Sequence, residues 1–284
     1  MLGAAIESVL SQDYADFELI VVDDGSTDST VRQLRQFSSR VRLLIQRHLG
    51  VSAARNFGVR HALGSHLAFL DSDDLWLPKK LAVQVAFMKR NPGVQICQTD
   101  EIWLRNGVRV NPTAKHHKPS GDIFQPSLEL CLVSPSAVML TRELFQRVGG
   151  FDESLPMCED YDLWLRIARD HLVTLIEDRL VIKRGGHADQ LSRSTWGMDR
   201  YRILALQKLL RSGLDGVKRD GAIAELRRKV KVLASGARKR AKAIEAAAYE
   251  DILAEFTQER HVRDDDSQLR GEKRLSSADG GALA

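Results

Sequence analysis

Cysteine is scarce in this chain: three in 284 residues, Cys97, Cys131 and Cys158, odd in number and far apart. That spacing excludes a disulfide framework and a CxxC zinc site, and it fits a reducing, cytoplasmic setting. Long apolar runs are absent as well. No stretch approaches the roughly 18 consecutive apolar residues of a membrane-spanning helix. The opening MLGAAIESVLSQDY has no basic n-region, no cleavage signal, and Glu7 inside its apolar part, so it does not read as a signal peptide. No internal repeat is found.

Charge is nearly balanced overall, with 42 Lys and Arg against 38 Asp and Glu. Its distribution is uneven. Lys218–Glu245 holds ten basic and three acidic residues, which leaves 32 basic against 35 acidic elsewhere. A slightly acidic body therefore carries a basic segment. That segment contains no aromatic residue, which disfavours nucleic-acid binding. Peripheral association of 218–245 with an anionic membrane surface is the alternative to a solvated helical face.

What the sequence does contain is an alternation of strand and helix signals. Phe17–Val22, Val41–Gln46, His66–Leu70, Val94–Gln98 and Ala137–Leu140 are apolar runs of strand length. Ala4–Leu10, Ser29–Phe37, Val51–Leu63, Pro78–Arg90, Arg142–Val148 and Tyr161–Arg169 read as helices between them. Strands this apolar, separated by helices, predict an α/β fold with a mostly parallel sheet covered on both faces. Residues 105–135 are weakly periodic and read as an irregular excursion. Beyond Gly197 only helical signals return, over Tyr201–Leu210 and Ala222–Phe256, interrupted near Gly213–Gly221 and Gly236. The expected organisation is a domain over 1–212, a basic helical extension over 213–256 and a disordered tail over 257–284.

Ligands of open α/β sheets bind beyond the carboxyl ends of the strands. Both acidic clusters, Asp23-Asp24 and Asp71-Ser72-Asp73-Asp74, follow such ends. A DxD presents oxygen ligands suited to Mg²⁺ or Mn²⁺ shared with a substrate phosphate. The plain alternative is a helix cap before Leu75. A calcium loop is excluded, because Trp76 and Ala82 stand where such a loop needs Gly and Glu. Arg55, opening a helix, is within reach of a phosphate or is simply solvated. Asp160 starts another helix as a general base or as a cap. His187 follows two glycines and is a lone histidine.

Taken in order, SVLSQDYADFELIVVDDGSTD, GVSAARNFGV, LAFLDSDDLWLPKKL, VGGFDESLPMCEDYDLWLR and GGHADQLS resemble family 2 glycosyltransferases. The resemblance runs from Leu2 to about Leu210. It implies the GT-A (nucleotide-diphospho-sugar transferase) fold with a helical C-terminal extension. It also implies an inverting, metal-dependent transfer from a nucleotide-sugar, UDP-linked by preference, to a glycan or lipid-linked hydroxyl in surface polysaccharide synthesis. By matching position, Asp24 would bind the base, Arg55 the diphosphate and Asp71 the ribose. Asp73 would hold Mn²⁺ or Mg²⁺, with Asp74 as a substitute and His187 as a further metal contact, and Asp160 would be the base. Acceptor choice falls to 105–135 and the region around 150–160.

One departure stands out. Family members begin with a strand such as VSVIIPTYN, ahead of the helix that here starts at Leu2. A misassigned start codon or truncated gene is the expectation, together with low stability and weak donor binding. The rival readings are a sugar nucleotidyltransferase, for which no Gly-rich triphosphate loop is seen, and a catalytically impaired scaffold.

Overall fold

The computed structural model describes residues 1–111, 113, 116–186 and 197–257. The chain divides into two compact units, Met1–Ala205 and Leu206–Ala284.

In the first unit, α1 (Leu2–Leu10) precedes β1 (Ile20–Asp23), a short helix α2 (Thr30–Leu34), β2 (Arg42–Ile45) and α3 (Val51–His61). Next come β3 (His66–Ala68), β4 (Leu75–Trp76), α4 (Lys80–Arg90) and a long β5 (Ile96–Arg105). The chain continues through β6 (Val108–Val110), α5 (Phe124–Glu129), β7 (Val138–Thr141), α6 (Arg142–Arg147), α7 (Glu159–Asp170) and β8 (Thr174–Gly185). Each helix expected from the sequence over this span is present, with ends shifted by a few residues.

Two features of 105–135 depart from the irregular excursion expected. Asn106 and Gly107 both take positive φ, 51° and 78°, forming the Asn-Gly turn that folds β6 back on β5. Phe124–Glu129 forms α5, with Phe124 and Leu128 buried.

The mostly parallel sheet also needs correction. Among the described residues, parallel pairing is confined to β1 with β2 and β5 with β8. The larger sheet runs β3-β7-β5-β8-β4 with β6 on the side of β5. Strand β7 pairs antiparallel with both β3 and β5, so it lies between two strands that share a direction. The crossover logic holds for β3, α4 and β5. It misses β7 because an irregular segment, rather than a covering helix, delivers that strand from the opposite end.

β1 and β2 form a sheet of their own. Leu19–Val22 and His66–Leu70 line one cavity of about 1050 Å³, together with Leu2, Ile6 and Val9 of α1 and Gly58 and Val59 of α3. The edges of β1 and β3 that face this cavity pair with no other described strand. Its far end opens onto Asp71, Asp73, Asp74 and Asp160.

The core behind β5 joins Val9, Trp76, Leu81, Val85, Met88, Cys97, Met139 and Val181. Lys80 is buried within it, 0% exposed. Its ammonium donates to Gln84 Oε1 at 2.7 Å and lies 4.0 Å from the Trp76 ring centroid. Burial is the main influence and pushes this lysine down to about 7, with Lys118 adding to it and Cys97 opposing. From that value up to the ordinary 10.5, the unfolded chain holds a proton that the folded chain does not, so this residue makes stability rise with pH. Lys80→Met is expected to raise Tm by about 2–4 °C for each kcal/mol of desolvation relieved. Calorimetry should find the gain largest at pH 6 and shrinking toward pH 10.

In the second unit, α8 (Asp199–Arg211) begins before the division and leads to α9 (Gly216–Lys239) and α10 (Ala243–Thr257). The expected break at Gly236 lies instead at Arg240–Lys242, where Ala241 takes φ 56°. Gly221 and Gly236 are both accommodated inside α9. Arg238 pairs with Glu250 across the turn, and Ala234, Ala237 and Ala246 pack between the two helices. The tail from 258 onward lies outside the described residues.

Candidate active site

The site is built around one cavity, where β1, β3 and β8 end and α7 begins. Asp71 and Asp73 belong to the tight turn between β3 and β4, and Asp74 closes it by donating its N–H to the Asp71 carbonyl at 3.0 Å. Ligand oxygens of Asp71, Asp73 and Asp74 all lie within 4.8 Å of one another. This is the donor chemistry that a hard divalent cation requires.

Ser136, just before β7, ties the turn down. Its hydroxyl donates to Asp74 Oδ2 at 2.7 Å and accepts from the Asp71 N–H at 3.2 Å. Asp74 is 2% exposed and also accepts the Arg184 N–H at 2.9 Å. Burial raises its carboxyl to about 6; Lys183 opposes that shift and Asp71 reinforces it.

Arg55 reaches the cluster from α3. One terminal nitrogen lies 2.7 Å from Asp71 Oδ1 and the other 2.6 Å from Glu159 Oε1, with the guanidinium 5.0 Å from the Phe151 ring centroid. The fork thus holds the DxD turn and the start of α7 in one geometry. Burial works against its charge, yet Asp71 and Glu159 keep it more basic than usual. Arg55→Met would leave two partly buried carboxylates without their partner, a loss of about 3 kcal/mol. Urea unfolding should detect it. Arg55→Lys should recover less than half, because an ammonium cannot span both carboxylates.

Asp160 sits in the first turn of α7, after Cys158 in the left-handed conformation (φ 60°). Its carboxylate accepts the Tyr161 N–H at 2.7 Å and lies 3.5 Å from the Cys131 sulfur. Burial and then the Asp160 charge raise the Cys131 thiol well above its ordinary range, so it remains a donor. Glu159, immediately before, is raised by burial and by Asp160, with Arg55 opposing. The α7 start therefore faces the DxD turn across the same cavity.

Asp24 is placed differently. Its two oxygens accept Gln46 Nε2 at 2.6 Å, the Leu49 N–H at 2.9 Å and the Gly50 N–H at 2.8 Å, and one lies 3.0 Å from His48 Nδ1. Partial burial raises its carboxyl, but these hydrogen bonds outweigh it and hold the group below the usual carboxylate range. Asp24 thus anchors the loop between β2 and α3. The approach is close enough that a Cβ on Gly25 (φ +80°) would lie 2.8 Å from the His48 backbone nitrogen. Neighbouring Asp23 is 4% exposed, with Oδ1 lacking a hydrogen-bond partner. His187 lies outside the described residues.

Two site residues carried no sequence signal. Lys183 and Arg184, at the end of β8, line the same cavity. Arg184 Nε donates to the Asp73 carbonyl, and its Nη2 is buried without a hydrogen-bond partner. Lys183 donates to Ser134 Oγ at 3.1 Å. No strand was read from the sequence here, because Glu177-Asp178-Arg179 interrupt the apolar pattern ahead of LVIKRG.

Against known proteins, the family profile described as Glycosyl transferase family 2 matches residues 1–149. An Escherichia coli protein named UDP-Glc:alpha-D-GlcNAc-diphosphoundecaprenol beta-1,3-glucosyltransferase WfgD is 32% identical over 208 residues, 72% of this chain and 78% of that protein. A Rickettsia felis protein described as an uncharacterized glycosyltransferase is 34% identical over 178 residues, 62% of this chain but 29% of its own length. Staphylococcus aureus TarS 1-349, solved in complex with UDP-GlcNAc, superposes with a TM-score of 0.64 at 17% identity, over 90% of this chain and 88% of that one. The mannosyltransferase PcManGT from Pyrobaculum calidifontis, in complex with GDP-Man and Mn²⁺, gives 0.53 at 20% identity, over 89% and 81%. These two likenesses establish the GT-A fold. The chain belongs to glycosyltransferase family 2.

Proposed function

We propose that the protein moves a sugar from a nucleoside-diphosphate donor, UDP-linked in the first instance, to a hydroxyl of a glycan or lipid-linked acceptor, with inversion at the anomeric carbon. The observation that carries this reading is the Asp71–Asp73–Asp74 oxygen cluster opening onto the same cavity as Asp160. The name of the E. coli relative, a UDP-Glc-dependent transferase onto a diphosphoundecaprenol-linked sugar, supports both donor and acceptor class. Surface polysaccharide assembly is the setting consistent with that name.

Asp71, Asp73 and Asp74 would hold Mn²⁺ or Mg²⁺, their oxygens being close enough to converge on one ion. A bound divalent ion would neutralise charge developing on the leaving diphosphate. Asp160 takes the acceptor proton. The buried, unpartnered Arg184 Nη2 is the donor we assign to the diphosphate. Arg55 acts there through the carboxylates it aligns, and Asp24 orders the loop beside the base.

Among the described residues no helix is long and apolar enough to cross a membrane. We infer peripheral contact with anionic lipid through α9, where Arg227, Lys231 and Lys239 are exposed. Lys229 is not part of that face, being 1% exposed and paired with Glu225 at 2.9 Å.

A nucleotidyltransferase would release diphosphate from a nucleoside triphosphate. Incubating the protein with UDP-glucose or UDP-GlcNAc and Mn²⁺ is expected to release UDP slowly even to water, and chelation should stop it. Diphosphate release from UTP and a sugar phosphate, without UDP release from either donor, would favour the rival.

A further inference from the structure

The cavity contains a cation that neither the metal cluster nor the proposed base accounts for. Lys183 is half-buried at the end of β8, beside Arg184, whose own N–H is fixed on Asp74 at 2.9 Å. Its side chain lines the same cavity as Asp71, Asp74 and Asp160 and donates to Ser134 Oγ at 3.1 Å, and the charges of Glu101, Asp74, Asp71 and Asp160 all favour its ammonium form. Glu101 already has a partner, because Lys118 lies 3.0 Å from it with both side chains buried. Asp71 is likewise matched by Arg55. The hydrogen bonds found for the Asp74 and Asp160 side chains come from neutral groups, namely Ser136 Oγ, the Arg184 N–H, the Tyr161 N–H and the Cys131 thiol. Lys183 thus adds positive charge to the cavity that the metal cluster and Asp160 also line.

From this placement we propose that Lys183 is a resident counter-cation of the site, which weakens divalent-metal binding while phosphate is absent and strengthens nucleoside-diphosphate binding. The inference rests on the reading of the site given above. Without a phosphate, an ammonium and a divalent cation attracted to the same carboxylates repel each other, and free metal binds weakly. A diphosphate would bring negative charge to both cations, and each would gain from its arrival. Lys183 then serves as a second positive contact on the phosphates. It is a phosphate-binding and specificity residue, favouring the metal–nucleotide complex over free metal at the same carboxylates.

The test is Mn²⁺ titration of the full chain by EPR, with and without UDP, for wild type, Lys183→Met, Lys183→Gln and Lys183→Arg. Neutral Gln keeps a hydrogen-bonding group for Ser134, so it serves if Met fails to fold. In wild type, UDP should tighten Mn²⁺ at least about tenfold. In the neutral variants, Mn²⁺ alone should bind about tenfold tighter and UDP with Mn²⁺ about tenfold weaker, so the two affinities should move in opposite directions. Lys183→Arg should stay near wild type. A residue that only packs would weaken both ligands together or neither. Unchanged free-Mn²⁺ affinity in a folded neutral variant would overturn the role of Lys183 while leaving the site intact. Absence of UDP binding in every protein would instead overturn the reading of the site, and the inference with it.

Discussion

Asp160→Asn is expected to lower sugar transfer by about 10²–10⁴-fold, the range for removing a general base, while leaving the fold intact. The amide has the same shape, and its oxygen can still accept the Tyr161 N–H that Asp160 takes at 2.7 Å. It cannot accept a proton from a hydroxyl. The substitution also removes a negative charge beside Glu159, whose carboxyl is raised partly by Asp160. Thermal stability should therefore hold steady or rise slightly as turnover collapses. Donor KM should change little, because the proposed donor contacts come from the DxD turn and β8. Less than a tenfold loss in a folded variant would remove Asp160 from the base role.

The second large effect concerns the cavity between β1 and β3. Placing an apolar strand of about six residues ahead of Met1, matched to the edge of a parallel sheet, should raise Tm by on the order of 10 °C. Burying each Val- or Ile-sized side chain is worth about 1.5–3 kcal/mol, against about 1–2 kcal/mol to fix each backbone unit. The central remainder, about 0.5–1 kcal/mol per residue, accumulates over the strand. The backbone edges of β1 and β3 would gain hydrogen-bond partners as well. Because the same cavity ends at the Asp71–Asp74 turn, donor affinity should rise with stability. A polar, Gly-Ser extension of equal length is the control and should change neither. An apolar extension that leaves Tm unmoved would mean that the cavity does not accept a strand.

Much of this arrangement was legible in the sequence because it depends on local chemistry. Apolar runs ending in Asp23-Asp24 and Asp71–Asp74 put acidic groups at strand ends, and the structure gathers Asp71, Asp73 and Asp74 into one cluster. Other features depend on pairing across distance, which no local pattern encodes. β7 enters between β3 and β5. β8 has a charged middle and a register shift opposite Thr99–Glu101, so its apolar alternation is broken, and with it went Lys183 and Arg184. Arg55 was marked for a phosphate because an arginine at a helix start suits one; only the three-dimensional contacts reveal its engagement with Asp71 and Glu159. The Asn106-Gly107 turn was missed within a stretch read as irregular, although few dipeptides favour two successive positive φ angles so strongly.

The central claim is that the carboxylate turn and the β8 cations form a metal-assisted nucleoside-diphosphate site. Calorimetric titration of UDP into the protein tests it most directly, first with Mn²⁺ present and then after chelation. The account predicts saturable one-to-one binding with Mn²⁺ that weakens at least about tenfold without it. Binding that ignores the metal, or no saturable binding in either condition, would contradict it.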